Sequence, residues 1–284
     1  MIFEHEIPSG SRLYFGKSAR IKRQIESQAA ALLLQRGYEE MVTPLFSYHQ
    51  HESFGDSREL IRLNDAANHE VSLRADSTAD VLRIATKRLG RSSGQKKWFY
   101  IQPVYRYPTK EQYQIGAENL EGEFGGVASD AVALLDALEI RPTMQVANIA
   151  VPRLLSQRYG VDLEAIKRMH IEGILRAGHD WLEALLRIQK VEDLQDLSPY
   201  PEEIAAELAK IREAVEGLEY DEIVISPLYY AKLRYYDALI FRMFEGNLLY
   251  ATGGSYRIEG AQAAGFALIT DSCIAYKMQK GNHE

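Results

Sequence analysis

Cys273 is the only cysteine among 284 residues. One thiol can close no intramolecular disulfide and build no thiolate zinc site, which fits a reducing compartment. No stretch approaches eighteen uncharged apolar residues, so no transmembrane helix is expected. The opening "MIFEHEIPSGSRLYF" has neither a basic nor an apolar leader region, and a cytoplasmic location is expected. Positive charge is in deficit: 33 Lys and Arg stand against 40 Asp and Glu, for a net charge of −7. That balance argues against a dedicated nucleic-acid binder, which usually carries a basic face. G-x-x-x-x-G-K-[ST] and G-x-G-x-x-G are both missing, and so is the G-x-S-x-G of serine hydrolases. Gly125-Gly126 and Gly253-Gly254 read as turns. His49 and His51 share a strand face without a third ligand, and His170 and His179 do not converge, so no metal and no cofactor is expected.

What remains is an ordinary globular composition, 46% hydrophobic and 26% charged, long enough to bury a sizeable core. Residues 18–36 carry apolar positions at helical spacing, with Ser18 as the expected cap and Gly37 as the stop. "YEEMVTPLFSY" reads as a strand that Pro44 confines to an edge or a bulge. "EVSLRADST" reads as a strand running into the helix "ADVLRIATKRLG". "WFYIQPVYRY" and "EQYQIGAENLEG" form a hairpin, followed by the helix "SDAVALLDALEI" and the strand "TMQVANIAV". Between about 153 and 217 the pattern is helical throughout. Strand character returns at "DEIVIS", passes through a hairpin around Glu245-Gly246-Asn247, and continues through "GFALITDSCIAYKM". Hairpins imply antiparallel pairing, so the expected class is α+β: an antiparallel sheet flanked by helices. The expected organisation is one core from 1–152 and 218–284, with 153–217 as a helical insertion.

Several of these segments, read in order, resemble the class II core of histidyl-tRNA synthetases. "IPSGSRLYFGKSARIKRQIE…RGYEEMVTPLFSY" resembles motif 1, and "LRADSTADVLRI" the Leu-Arg-Pro-Glu-Gly-Thr segment. "FYIQPVYRY…EQYQIGAENLEG" resembles motif 2. "LRYYDALIF" and "GGSY" resemble the Leu-Asp-Tyr-Tyr-Thr-Gly and Gly-Gly-Arg-Tyr signatures, and "AAGFALITDSCI" stands where motif 3 belongs. The resemblance spans nearly the whole chain outside the helical stretch. It implies a histidine pocket in which Asp76 replaces the glutamate that holds the α-ammonium. Thr78, Gln114 and Glu118 fall on ligand-contacting positions, Tyr236 and Tyr256 on the tyrosines that meet the imidazole, and Arg106 is left for the ligand carboxylate. Each has a plainer reading when taken singly: a strand glutamate is usually solvated, and adjacent tyrosines usually alternate between core and surface. Their joint placement on one fold favours ligand binding.

The departures concern chemistry. Ala231 stands where the synthetase has a catalytic arginine, and Ser272 where motif 3 has its ATP-binding arginine. Pro108 replaces an acidic residue, the motif 2 loop is several residues short, and Ser47 replaces a glutamate. Forming an aminoacyl adenylate brings a carboxylate against a phosphate, and two such charges a few ångströms apart repel by several kcal/mol even at an effective dielectric of about 20. Removing one preorganised donor typically costs about 10²–10³ in rate. The chain also ends soon after motif 3, where an anticodon-binding domain would follow.

A synthetase-like core with these losses resembles the regulatory subunits of the short-form ATP phosphoribosyltransferases. That resemblance implies no catalysis of its own and no tRNA. It implies assembly with the short catalytic subunit as a hetero-oligomer, expected as a hetero-octamer built on a homodimer unit, and histidine as ligand in feedback inhibition of histidine biosynthesis. Two competitors stay open: a synthetase-like enzyme passing an adenylate to a non-tRNA acceptor, and a free-standing amino-acid sensor.

Overall fold

The computed structural model describes residues 6–48, 50, 57–90, 93–230, 236–258 and 261–280. Its frame is an eight-stranded sheet. The strands are β1 (Glu39–Glu40), β5 (Lys97–Arg106), β6 (Lys110–Asn119), β7 (Thr143–Asn148), β8 (Ile223–Ile225), β9 (Tyr236–Glu245), β10 (Leu248–Ile258) and β11 (Ala261–Ile269). Their order is β1-β5-β6-β11-β10-β9-β7-β8. Two hairpins, β5–β6 and β9–β10, make the centre antiparallel; only the outermost pairs, β1 with β5 and β7 with β8, run parallel. A small antiparallel sheet of β2 (Phe46–Ser47), β4 (Glu70–Leu73) and β3 (Arg62–Asn64) stands beside it.

Side-chain alternation gives the large sheet two unlike faces. One carries Phe99, Ile115, Ala117, Val146, Phe241, Met243, Phe266 and Leu268, all at most 2% exposed. Against it pack α1 (Gly16–Gln35), α3 (Phe124–Ala137) and α9 (Thr270–Lys280). The other face is polar, floored by small residues, and α2 (Thr78–Arg83, continuing as a π turn over Ile84–Leu89) lies across part of it.

Parallel neighbours need a long crossover, and here it is helical: α4 (Ala150–Arg158), α5 (Leu163–Lys167), α6 (Ile171–Leu175), α7 (Trp181–Arg187) and α8 (Glu202–Glu216) join β7 to β8. Leu155, Ile174, Leu182, Leu185, Leu208 and Ile211 bury their side chains completely in the same core cluster as the sheet. Buried Asn148 adds a polar pin, donating to the backbone carbonyl and the carboxylate of Glu207 at 3.2 and 2.7 Å.

Several local expectations change. Gly125-Gly126 lies within α3 and Gly253-Gly254 within β10, not in turns. Helix α1 starts at Gly16, with Ser18 inside its first turn; the Ser18 hydroxyl accepts from the Phe15 amide at 3.0 Å and so caps from within. Gly37 ends the helical region at φ +82°, a conformation that favours glycine. The strand expected over 38–48 is only two short pieces, and the segment between is inside-out. Polar Thr43 and Ser47 are buried, while Val42, Phe46 and Tyr48 are 77, 55 and 53% exposed. The last strand stops at Ile269, and "TDSCIAYKMQK" is helix α9, with Asp271 in its first turn and Lys277 and Lys280 in its last, each sign suited to that end of the helix dipole. No helix among the described residues is long and apolar enough to cross a membrane.

Candidate functional site

Cross-strand register places the expected ligand residues on the polar face. Glu118 lies opposite Trp98 and Gly265, Gln114 opposite Gln102, Arg106 opposite Lys110, and Tyr256 opposite both Ala263 and Tyr236. Two glycines make room. A Cβ at Gly265 would lie 1.9 Å from Glu118 Oε2, and one at Gly116 would lie 2.1 Å from the Tyr100 ring. Any larger residue at either place would collide with the side chains of the site.

Glu118 is the centre. Its side chain is 1% exposed. The Thr78 hydroxyl donates to Oε1 at 2.7 Å, the Tyr100 hydroxyl to the same oxygen at 3.4 Å, and the Tyr256 hydroxyl to Oε2. Burial pushes the carboxyl up to about 8 and the nearby Asp76 charge acts in the same sense, while the hydroxyl donors pull the other way. At neutral pH this is a largely uncharged acid among hydroxyls. It can exchange hydrogen bonds with a heteroaromatic ring, or ionise when a cation enters.

The loop Arg74–Thr78, which brings Asp76 and Thr78 to the cluster, is held by three buried side chains. Arg74 donates to the carbonyls of Thr43, Pro44 and Pro103, at 2.9, 3.3 and 2.8 Å. Gln102 donates to the hydroxyls of Thr43 and Ser77, both at 2.9 Å. Gln50 accepts from the amides of Ala75 and Asp76 and donates to the Asp76 carbonyl and to Asp80 Oδ2. Ser47 completes the network with a 2.8 Å bond to Asp80 Oδ1. Buried polar groups need such partners, which explains why the inner side of segment 43–50 is polar.

Thr78, Glu118 and Tyr256 therefore form one cluster with Asp76 beside it. Gln114 sits four residues from Glu118 on the same strand face, roughly 13 Å at about 3.3 Å per residue, and its amide donates to Gln112. Arg106 shares the face but lies at the far end of the hairpin, as far again beyond Gln114. Tyr236 opens β9 beside Tyr256, with its side chain outside the described residues. Ala231, His49 and His51 also lie outside them. Ser272 falls in the first turn of α9. Between the paired Arg106 and Lys110 the motif 2 turn holds only Tyr107, Pro108 and Thr109. Among the described residues no group of three or more His, Cys, Asp or Glu could hold a metal ion.

Tyr100, Gln50 and Gln102 were not nominated from sequence. Tyr100 was legible only as one aromatic in an alternating strand; the two glutamines gave no signal, since an isolated glutamine reads as a surface residue. Two further guanidiniums are engaged elsewhere: Arg74 with the three carbonyls, and Arg242 with Gln145 and the Tyr229 ring.

The family model for histidyl-tRNA synthetase matches residues 14–272. An ATP phosphoribosyltransferase regulatory subunit of Wolinella succinogenes is 46% identical over 276 residues, 96% of each chain. One of Helicobacter hepaticus is 41% identical, covering 96% of this chain and 98% of the relative. A solved Bacillus halodurans structure, described as an ATP phosphoribosyltransferase regulatory subunit/histidyl-tRNA synthetase, shares the fold at TM-score 0.79 and 20% identity, over 97% of this chain and 83% of that one. A near-full-length match of this quality, on a class II synthetase-like sheet, means that the chain belongs to the ATP phosphoribosyltransferase regulatory-subunit family.

Proposed function

We propose that this chain is a non-catalytic regulatory subunit that assembles with a short-form ATP phosphoribosyltransferase catalytic subunit, activates it and takes part in its feedback inhibition by histidine. The match to relatives named for that role carries the reading. Histidine is the proposed ligand of the Glu118 cluster: Asp76 for the α-ammonium, and Thr78, Glu118, Tyr256 and Tyr236 around the imidazole. Gln114 flanks it, and Arg106 is the more distant candidate for the carboxylate. The absence of catalysis is supported by the three-residue motif 2 turn and by Ala231 and Ser272 at the two arginine positions. The exposed apolar side chains of Val42, Phe46 and Tyr48 support a homodimer contact through the motif 1 segment. The coupling is ordinary linkage: histidine binding two assembly states unequally shifts their ratio, typically with about 1–3 kcal/mol.

The test is co-purification with a short-form catalytic subunit, with and without histidine, followed by assay of the complex. A stable complex with raised activity and histidine sensitivity is expected. A catalytic subunit whose activity and histidine response ignore this chain would remove the reading. The competing adenylate-forming reading is separated by histidine-dependent pyrophosphate exchange, where background levels are expected.

A further inference from the structure

We propose that Gln50 is the positioning residue for the Asp76–Thr78 ligand loop, tying the amino-acid pocket to the inner side of the motif 1 segment. The proposal rests on the histidine-binding reading of the Glu118 cluster.

Gln50 is 1% exposed, and its primary amide is fully partnered. Its oxygen takes two successive backbone amides, Ala75 at 2.9 Å and Asp76 at 2.8 Å. Its nitrogen gives one hydrogen to the Asp76 carbonyl at 2.9 Å and the other to Asp80 Oδ2 at 2.7 Å. The side chain thus makes four hydrogen bonds, three of them to backbone groups at the turn and two to Asp76 itself. Leucine has no polar atoms and glutamate has no donors when ionised, so neither reproduces this set. Asp76 in turn uses Oδ1 to accept the Ala79 amide at 3.2 Å, which aligns the start of α2 and Thr78 with it. Thr78 then reaches Glu118. The path from Gln50 to the Glu118 cluster is a chain of hydrogen bonds through the backbone of the loop, and Gln50 meets Asp76 only at its backbone amide and carbonyl, not at its carboxylate.

The same segment turns Val42, Phe46 and Tyr48 outward. Whatever displaces it therefore moves the loop, and ligand affinity depends on how this segment is seated.

The test uses the full-length protein and histidine itself, with binding read by titration calorimetry. Gln50→Glu puts a carboxylate against Asp80, and the paired variant Gln50→Glu with Asp80→Asn restores a donor across that contact. Histidine affinity is expected to fall about tenfold or more in Gln50→Glu, as when a buried polar group is left unpaired. It is expected to recover partly in the pair, a recovery that loss of fold would not produce. A folded Gln50→Glu protein that binds histidine as the unaltered chain does would overturn the proposal. Should the unaltered chain bind no histidine, the ligand reading fails by itself. The Gln50 assignment is then decided by hydrogen exchange at the Ala79 amide, whose acceptor is Asp76. Faster exchange in Gln50→Glu, restored in the pair, supports the positioning role; unchanged exchange ends it.

Discussion

Thr78 Oγ1 lies 2.7 Å from Glu118 Oε1, joining the first residue of a helix to a strand forty positions later. That bond ties the Leu-Arg-Ala-Asp-Ser-Thr loop to the sheet. It also fixes a carboxyl that has lost its water.

Stability should fall as pH rises from about 4.5 to about 8, and Glu118 should be a cause. The folded carboxyl titrates near 8 and the unfolded one near its ordinary 4.5. Folding therefore takes up a proton in this window. The contribution is complete below the unfolded value and is lost as pH climbs through the folded one, at no more than about 1.4 kcal/mol per pH unit. Glu118→Gln keeps the shape and removes the titration. Melting temperatures from pH 5 to 8 should fall less steeply in this variant than in the unaltered chain, and parallel curves would remove Glu118 from the account.

Gly265→Ala should damage the site from the floor. The new methyl would lie 1.9 Å from Glu118 Oε2 and 2.7 Å from both the Tyr256 hydroxyl and the Ala117 carbonyl. The carbonyl belongs to the neighbouring strand and cannot step aside. Overpacking of this kind costs about 1–3 kcal/mol. Urea unfolding should show that loss together with weakened histidine binding, whereas a variant as stable as the parent would mean that the strands separate more easily than their pairing implies.

Arg74→Lys tests whether the clamp on the loop is a matter of charge or of shape. Arg74 is 4% exposed, and its guanidinium reaches carbonyls on both sides, Thr43 and Pro44 on one and Pro103 on the other. An ammonium is compact and cannot span them as a planar fork does. At least one buried acceptor is left open, at about 1–3 kcal/mol. Chemical denaturation should therefore place Arg74→Lys well below the parent, and equal stability would assign the contact to charge alone.

The antiparallel sheet was legible because its strands alternate and its turns are short: Glu245-Gly246-Asn247 marks one hairpin, and the aromatic run before Arg106 marks the other. The inside-out segment 43–50 was not. A rule that places apolar residues inside assigns Phe46 and Ser47 to the wrong sides, and only the buried backbone of the 74–78 loop explains the reversal. The family resemblance singled out Gln114 and Glu118, but the sequence could not show that Glu118 is buried, because burial depends on α2 folding across it. The helix after Ile269 could have been found, since Asp271 and Lys277 are placed as a helix dipole would have them; the apolar run before it hid the boundary.

Restoring the missing arginines should not restore adenylation. Each absent donor accounts for about 10²–10³ in rate, so Ala231→Arg or Ser272→Arg alone still lacks the other. The double variant still meets a second barrier. Arg106 and Lys110 are paired, and the turn between them contains Tyr107, Pro108 and Thr109 and nothing more. Three residues can close a hairpin but cannot fold over a nucleotide triphosphate and exclude water from it, and phosphoryl chemistry depends on that exclusion and on fixed positive charge. Histidine-dependent pyrophosphate exchange should stay at background in both single variants and in the pair. A rise with either single arginine would mean that the pocket has kept its chemistry in reserve, and that the short turn is no obstacle to it.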